Sequence, residues 1–203
     1  MWKYIAGGVF IILMLVSGWY LLKDRVSVSD DAQPSAQVQT VATSTYATST
    51  YSIVYPADFS LNDSYAYDTF GPKKLIHGIK FTIPETMATG TNLSSQDTGI
   101  SVEQLPRAKN CTADIYITAN IKAQKTSENG VEYSVASTSD AGAGNFYEEQ
   151  VYALAGTHPC TAVRYFIHST NVGNYSPDSI REYDRQALLQ AFDAIRFSLT
   201  LQQ

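Results

Sequence analysis

The sequence predicts an α+β fold: a mostly antiparallel sheet with flanking helices and an amphipathic C-terminal helix, preceded by a single transmembrane helix. Three observations lead there. Runs of β-branched and aromatic residues recur between Gly, Pro and Asn breakers through the middle of the chain. The clear amphipathic helical pattern comes last, after the strands, which is the order of an α+β fold rather than of alternating βα units. Nineteen uncharged residues, Tyr4–Leu22, precede them all.

As a helix, Tyr4–Leu22 spans about 28 Å, close to the hydrocarbon thickness of a bilayer. Trp2, Tyr4, Trp19 and Tyr20 fall at its two ends, where interfacial aromatics belong. Lys3 lies before the span and Lys23 and Arg25 after it, so flanking charge does not orient it. A cleaved signal peptide is the competing reading, with an unusually long apolar core and mediocre small-residue cleavage sites. Residues 1–25 are therefore expected to be a membrane anchor. Residues 26–50, rich in Ser, Thr, Ala and Gln, are expected to be a flexible linker spanning about 25–30 Å. They hold the repeat Ala42-Thr43-Ser44-Thr45-Tyr46, Ala47-Thr48-Ser49-Thr50-Tyr51.

The domain then occupies residues 51–203. Alternation marks strands at 50–56 (TYSIVYP), 78–84 (GIKFTIP) and 99–105 (GISVEQL), with 57–74 irregular. Residues 109–121 fit either a strand or a short helix. Runs at 121–126 and 131–137 flank Asn129-Gly130, a strong hairpin cue. Residues 146–154 and 161–169 flank Ala155-Gly156-Thr157-His158-Pro159 and form a second hairpin. Asp184 caps the final helix, with Leu188, Leu189, Phe192 and Ile195 on one face. Residues 197–201 either add a strand or trail off.

There are two cysteines, Cys111 and Cys160. In an exported domain they read as one disulfide, against the alternative of two buried thiols. Net charge is −5, and no Lys/Arg-rich run provides the electrostatic footprint of nucleic-acid binding.

Three motifs taken together resemble the PsbP/Mog1-like superfamily: the opening strand Tyr51-Ser52-Ile53-Val54-Tyr55-Pro56; the block Phe81-Thr82-Ile83-Pro84, Thr91-Asn92-Leu93-Ser94 and Ile100-Ser101-Val102; and the helix end Phe192-Asp193-Ala194-Ile195-Arg196-Phe197-Ser198. Gly144-Asn145-Phe146-Tyr147 is similar to the lead into a hairpin in membrane-anchored bacterial PsbP-like proteins. The resemblance implies an antiparallel sheet covered by helices and an accessory or binding module without catalysis. It carries over no site residues.

One constellation holds groups capable of chemistry. With Tyr152 set opposite Ala162, Glu148, Arg164 and His168 share a face of the second hairpin. A carboxylate, a guanidinium and an imidazole in reach of one another suit anion binding or acid–base work; a solvated sheet face with one ion pair is the plainer reading. His77, His158 and His168 show no metal-ligand spacing, and no cofactor motif is present. The expected function is a membrane-tethered binding or accessory domain held outside the cytoplasm, with a protein or cell-envelope partner. The alternatives are an envelope hydrolase using Glu148 and His168, or a subunit of a pilus-like assembly.

Overall fold

A computed structural model describes residues 41–202. The anchor expected at Tyr4–Leu22 lies outside the described residues. Among the described residues no helix is long and apolar enough to cross a membrane.

Among the described residues ten strands form two sheets. The smaller has the order β1 (Thr43–Ala47), β2 (Tyr51–Pro56), β10 (Thr200–Leu201), and both of its pairings are antiparallel. The linker expected over 26–50 therefore ends early, because the first copy of its repeat is strand β1. The second copy supplies the turn, where the Thr48 hydroxyl accepts the N–H groups of Thr50 and Tyr51 at 3.1 Å each.

The larger sheet is antiparallel throughout. It runs β3 (Ser60–Tyr67), β4 (Ile76–Thr82), β5 (Gly99–Leu105), β9 (Cys160–Thr170), β8 (Asn145–Leu154), β7 (Val131–Gly142), β6 (Gln124–Glu128). Strand β3 occupies part of the stretch expected to be irregular. Its first five residues are all exposed, so it carries no alternation of burial. The central strand, β9, and its neighbour β8 form the second hairpin.

Two helices complete the domain: a single turn, α1 (Glu85–Ala88), and α2 (Arg185–Phe197). The Asp184 side chain caps α2 by accepting the Ala187 N–H at 2.9 Å. Leu188, Phe192 and Ile195 are buried. They pack with Tyr51 and Ile53 of β2 and with Phe81, Val102, Tyr152, Val163 and Tyr165 on one face of the large sheet. Burying each such side chain stabilises the fold by roughly 1.5–3 kcal/mol.

The other face is only partly covered. Residues 105–123 cross it as a strap, which settles the ambiguous stretch as a 3₁₀ turn (Ala113–Tyr116) set in irregular chain. Ala113, Tyr116 and Ile117 bury against Ile76, Ala136, Val151 and Ala162. Cys111 and Cys160 form a disulfide, with 5.0 Å between Cα atoms, that ties the strap to β9. The Tyr116 hydroxyl donates to the Cys160 carbonyl at 2.7 Å, and the Ala113 N–H to the Ser134 hydroxyl at 3.0 Å.

The bridge closes a sequence separation of 49. In the chain-entropy account a loop of this size contributes about 4 kcal/mol, an upper-end figure. Cys111→Ser with Cys160→Ala is expected to lower unfolding stability in urea by about 2–4 kcal/mol. An unchanged midpoint would show the strap to be held by its apolar contacts alone.

Candidate functional site

The second hairpin pairs one residue out of step with the expected register. Tyr152 faces Val163 and Ala153 faces Ala162, instead of Tyr152 facing Ala162. Hydrophobic pattern decides this. The observed register puts Tyr152 and Leu154 on the same face as Val163, Tyr165 and Ile167, where α2 can cover them. A five-residue turn permits either parity, so the turn does not set it.

The slip separates the expected cluster. Glu148 lies on the helix side, where it accepts from Arg185 Nη2 at 2.7 Å and from the Tyr183 hydroxyl at 3.2 Å. Arg164 and His168 lie on the opposite face, with Tyr147, Glu149 and Val151. A site that uses both Glu148 and His168 is thus corrected: a sheet stands between them.

Arg164 is 1% exposed and its main partner, Glu103, is fully buried. Nε and Nη2 donate to the two Glu103 oxygens at 2.8 Å each, a bidentate pair. Nη2 also donates to the Tyr116 carbonyl at 2.8 Å, and Nη1 donates to Glu149 Oε2. The guanidinium lies 3.6 Å from the centre of the Tyr67 ring, and the Tyr67 hydroxyl donates to Glu149 at 3.1 Å. The Ser101 hydroxyl donates to Glu103 at 2.8 Å. Gly78, opposite Glu103 on β4, has no room for a side chain, since a Cβ there would meet the Val102 carbonyl oxygen at 2.1 Å. Every nitrogen of the guanidinium is used. Burial opposes its charge, and the Glu103 carboxylate outweighs that and holds the pKa above the usual arginine range. This is a structural clamp, with no open position for a ligand.

Beyond the strap the same face is half-exposed. His168 there directs Nδ1 at the Asp97 carboxylate (2.8 and 2.9 Å) and Nε2 at Asn145 Oδ1 (2.9 Å). Its ring stacks on Tyr147 at 4.5 Å, and Tyr147 lies 6.2 Å from Phe166. Lys80 Nζ lies 5.3 Å from the Phe166 ring and 5.6 Å from Tyr65, and donates to the Asp97 carbonyl at 2.7 Å. Burial lowers the Lys80 pKa below its ordinary value. The result is a row of aromatic rings interleaved with a lysine and a histidine: Tyr65, Lys80, Phe166, Tyr147, His168. Both imidazole nitrogens are engaged by partners within the fold.

The helix face carries a second buried guanidinium, Arg196. It donates to Tyr165 (2.7 Å), Glu128 (2.6 Å) and Asp193 (2.9 Å), and its centre lies 3.9 Å from the Tyr152 ring. Glu103, Glu149, Asp97 and Arg196 were not among the expected site residues. The alternation of Ile100 and Val102 with Ser101 and Glu103 marks one face of β5 as polar, but not as buried.

No protein-family model matches the chain, and no curated protein does. Among solved structures it is similar to cyanobacterial PsbP from Synechocystis, at 15% identity and a TM-score of 0.42, over 81% of this chain and 95% of that one.

Two outcomes follow from these groups. Arg164→Met leaves Glu103 buried and unpaired, and is expected to cost about 3–5 kcal/mol in urea unfolding. Glu148→Gln, at a largely exposed pair, is expected to cost under about 1 kcal/mol; similar costs for the two variants would refute the clamp. Burial also raises the phenols of Tyr51, Tyr65, Tyr116 and Tyr165 above their ordinary 10.0, and burial together with the Glu148 carboxylate pushes Tyr183 up to about 12. Protons are thus held more tightly in the folded state. The stability they contribute is whole below pH 10 and is lost as pH rises through the folded values. The urea midpoint is expected to fall steeply above pH 10, and a flat profile between pH 10 and 12 would contradict the assignment.

Proposed function

We propose that the chain is a membrane-tethered binding domain, held outside the cytoplasm, that engages a protein or cell-envelope partner without performing chemistry on it. The observation that carries this reading is the half-exposed row Tyr65, Lys80, Phe166, Tyr147, His168 on the part of the large sheet that the strap leaves open. Aromatic side chains give contact area at low entropic cost, and a neighbouring cation adds polar recognition. The strongly paired ionisable groups, Arg164 with Glu103 and Arg196 with Asp193, are used within the fold. Tethering is supported by the uncharged stretch Tyr4–Leu22, and placement outside the cytoplasm by the Cys111–Cys160 disulfide.

A photo-crosslinking residue at Tyr147 or Phe166, in the intact protein in its native membrane, is expected to give one discrete adduct. The same residue at Val54, exposed on the small sheet, is expected to give none. Lys80→Ala with Tyr147→Ala should reduce capture from Phe166 at least tenfold while the far-UV circular dichroism spectrum of the folded domain is retained. Equal labelling from Val54, or no adduct from the row, would sink the reading.

A further inference from the structure

Strand β7 outlasts its outer neighbour. Strand β6 pairs with Val131–Val135 and stops at Gln124↔Val135, while β7 continues to Gly142. Among the described residues, 136–142 are therefore bordered on one side only, by β8. Which backbone groups face outward follows from the turn. Ala143 and Gly144, with φ of 51° and 80°, form a two-residue loop that closes on the pair Gly142↔Asn145. Counting back in twos, Asp140, Thr138 and Ala136 turn their N–H and C=O groups toward β8, and Ala141, Ser139 and Ser137 turn theirs outward. The same count turns Val135 toward β6, its observed partner. The outward Ala141 N–H is taken by the Asp140 side chain at 2.8 Å. Those of Ser137 and Ser139, both exposed, take no partner among the described residues.

Sheets guard such edges with bulges, lysine, proline or a covering segment. The opposite edge of this sheet is guarded: β3 breaks register between Asn62 and Tyr65, and the Asn62 side chain takes the Ser64 N–H at 3.0 Å. The β7 edge runs in regular register through Ser137-Thr138-Ser139-Asp140, without Lys, Pro or bulge.

A groove of 470 Å³ lies along this edge. On the helix side it is lined by Ile167 and Leu189, beside the Glu148–Arg185 pair. On the other side it is lined by Ile121 and Glu149. In the hydrogen-bonded network behind Glu149, one cation, Arg164, is shared by two carboxylates, which leaves the groove wall acidic on that side. An added strand would thus present alternate side chains to an apolar wall and to an acidic one.

We infer that the outer edge of β7 takes up an extended segment of a partner protein as an additional strand, apolar toward α2 and basic toward Glu149. A second copy of this chain fits poorly. The only charged residues of β7 are Glu132 and Asp140, so self-pairing would set acidic groups against an acidic wall. The inference is separate from the aromatic row and does not depend on it.

The probe is a fluorescent peptide, acetyl-Thr-Val-Lys-Val-Lys-Val-Thr-amide, titrated by anisotropy against the intact chain in detergent micelles. Binding is expected, at least tenfold tighter than for the peptide with Glu in place of Lys. Two N-methylated versions, one blocking the Val amides and one the Lys amides, are expected to diverge: one binds like the parent and the other at least tenfold more weakly, because only alternate amides face the host strand. Ser139→Pro, which removes an outward N–H and no bond to β8, is expected to weaken binding at least tenfold. Equal binding of the Lys and Glu peptides, or of both N-methylated peptides and the parent, would overturn the inference even if the proline variant fails to fold. So would a dimer in sedimentation that Ser139→Pro abolishes, which would make the occupant a second copy.

Discussion

The Arg164 guanidinium ties four other elements of this domain to its own strand. From β9 it reaches Glu103 on β5, Glu149 on β8, the Tyr67 ring on β3 and the Tyr116 carbonyl of the strap. Taking a guanidinium and a carboxylate out of water costs several kcal/mol per ion, which only complete hydrogen bonding offsets. Such a group stabilises one arrangement and penalises its neighbours heavily, because any shift of strand or strap leaves a buried charge unpaired. The disulfide and the Tyr116 hydroxyl fasten the strap to the same strand, at Cys160, four residues before Arg164.

Arg196 plays a comparable part on the opposite face. It rises from α2 among Tyr133, Tyr152 and Tyr165 and reaches Glu128 at the end of β6. Its Nη1 atom has no hydrogen-bond partner among the described residues, and the surrounding ring faces provide the attraction instead. The central strands are thus clamped from both sides by guanidinium groups seated on tyrosine. Arg164, which the sequence places in a reactive cluster, is occupied in holding the sheet, and the large sheet is left partly open where the strap and β6 stop short.

Features with a local cause were legible in the sequence. Asn129-Gly130 turns β6 into β7, Asp184 starts α2, and Leu188, Phe192 and Ile195 form its buried stripe. The two cysteines pair across the strap. What was missed depends on distant partners. Strands β1 and β3 lie at sheet edges, one face or both toward water, so Thr43–Ala47 and Ser60-Leu61-Asn62-Asp63 carry little apolar alternation. The parity of the β8–β9 pairing follows from what α2 covers, not from the turn between the strands. One residue of slip was enough to bring Glu148 wrongly beside Arg164 and His168. The burial of Glu103 depends on a strap whose sequence fits a strand or a helix equally.

Arg164 is a sealed structural clamp, and we propose that recognition takes place beyond it. The most direct measurement is the exchange of the Arg164 guanidinium hydrogens with solvent, followed by ¹⁵N-resolved NMR on the oxidised protein. Separate, slowly exchanging Nε and Nη signals are predicted, with rotation of the group stopped by Glu103, Glu149 and Tyr116. Averaged signals exchanging at the rate of a free arginine would contradict the account and make this face of the hairpin an open site.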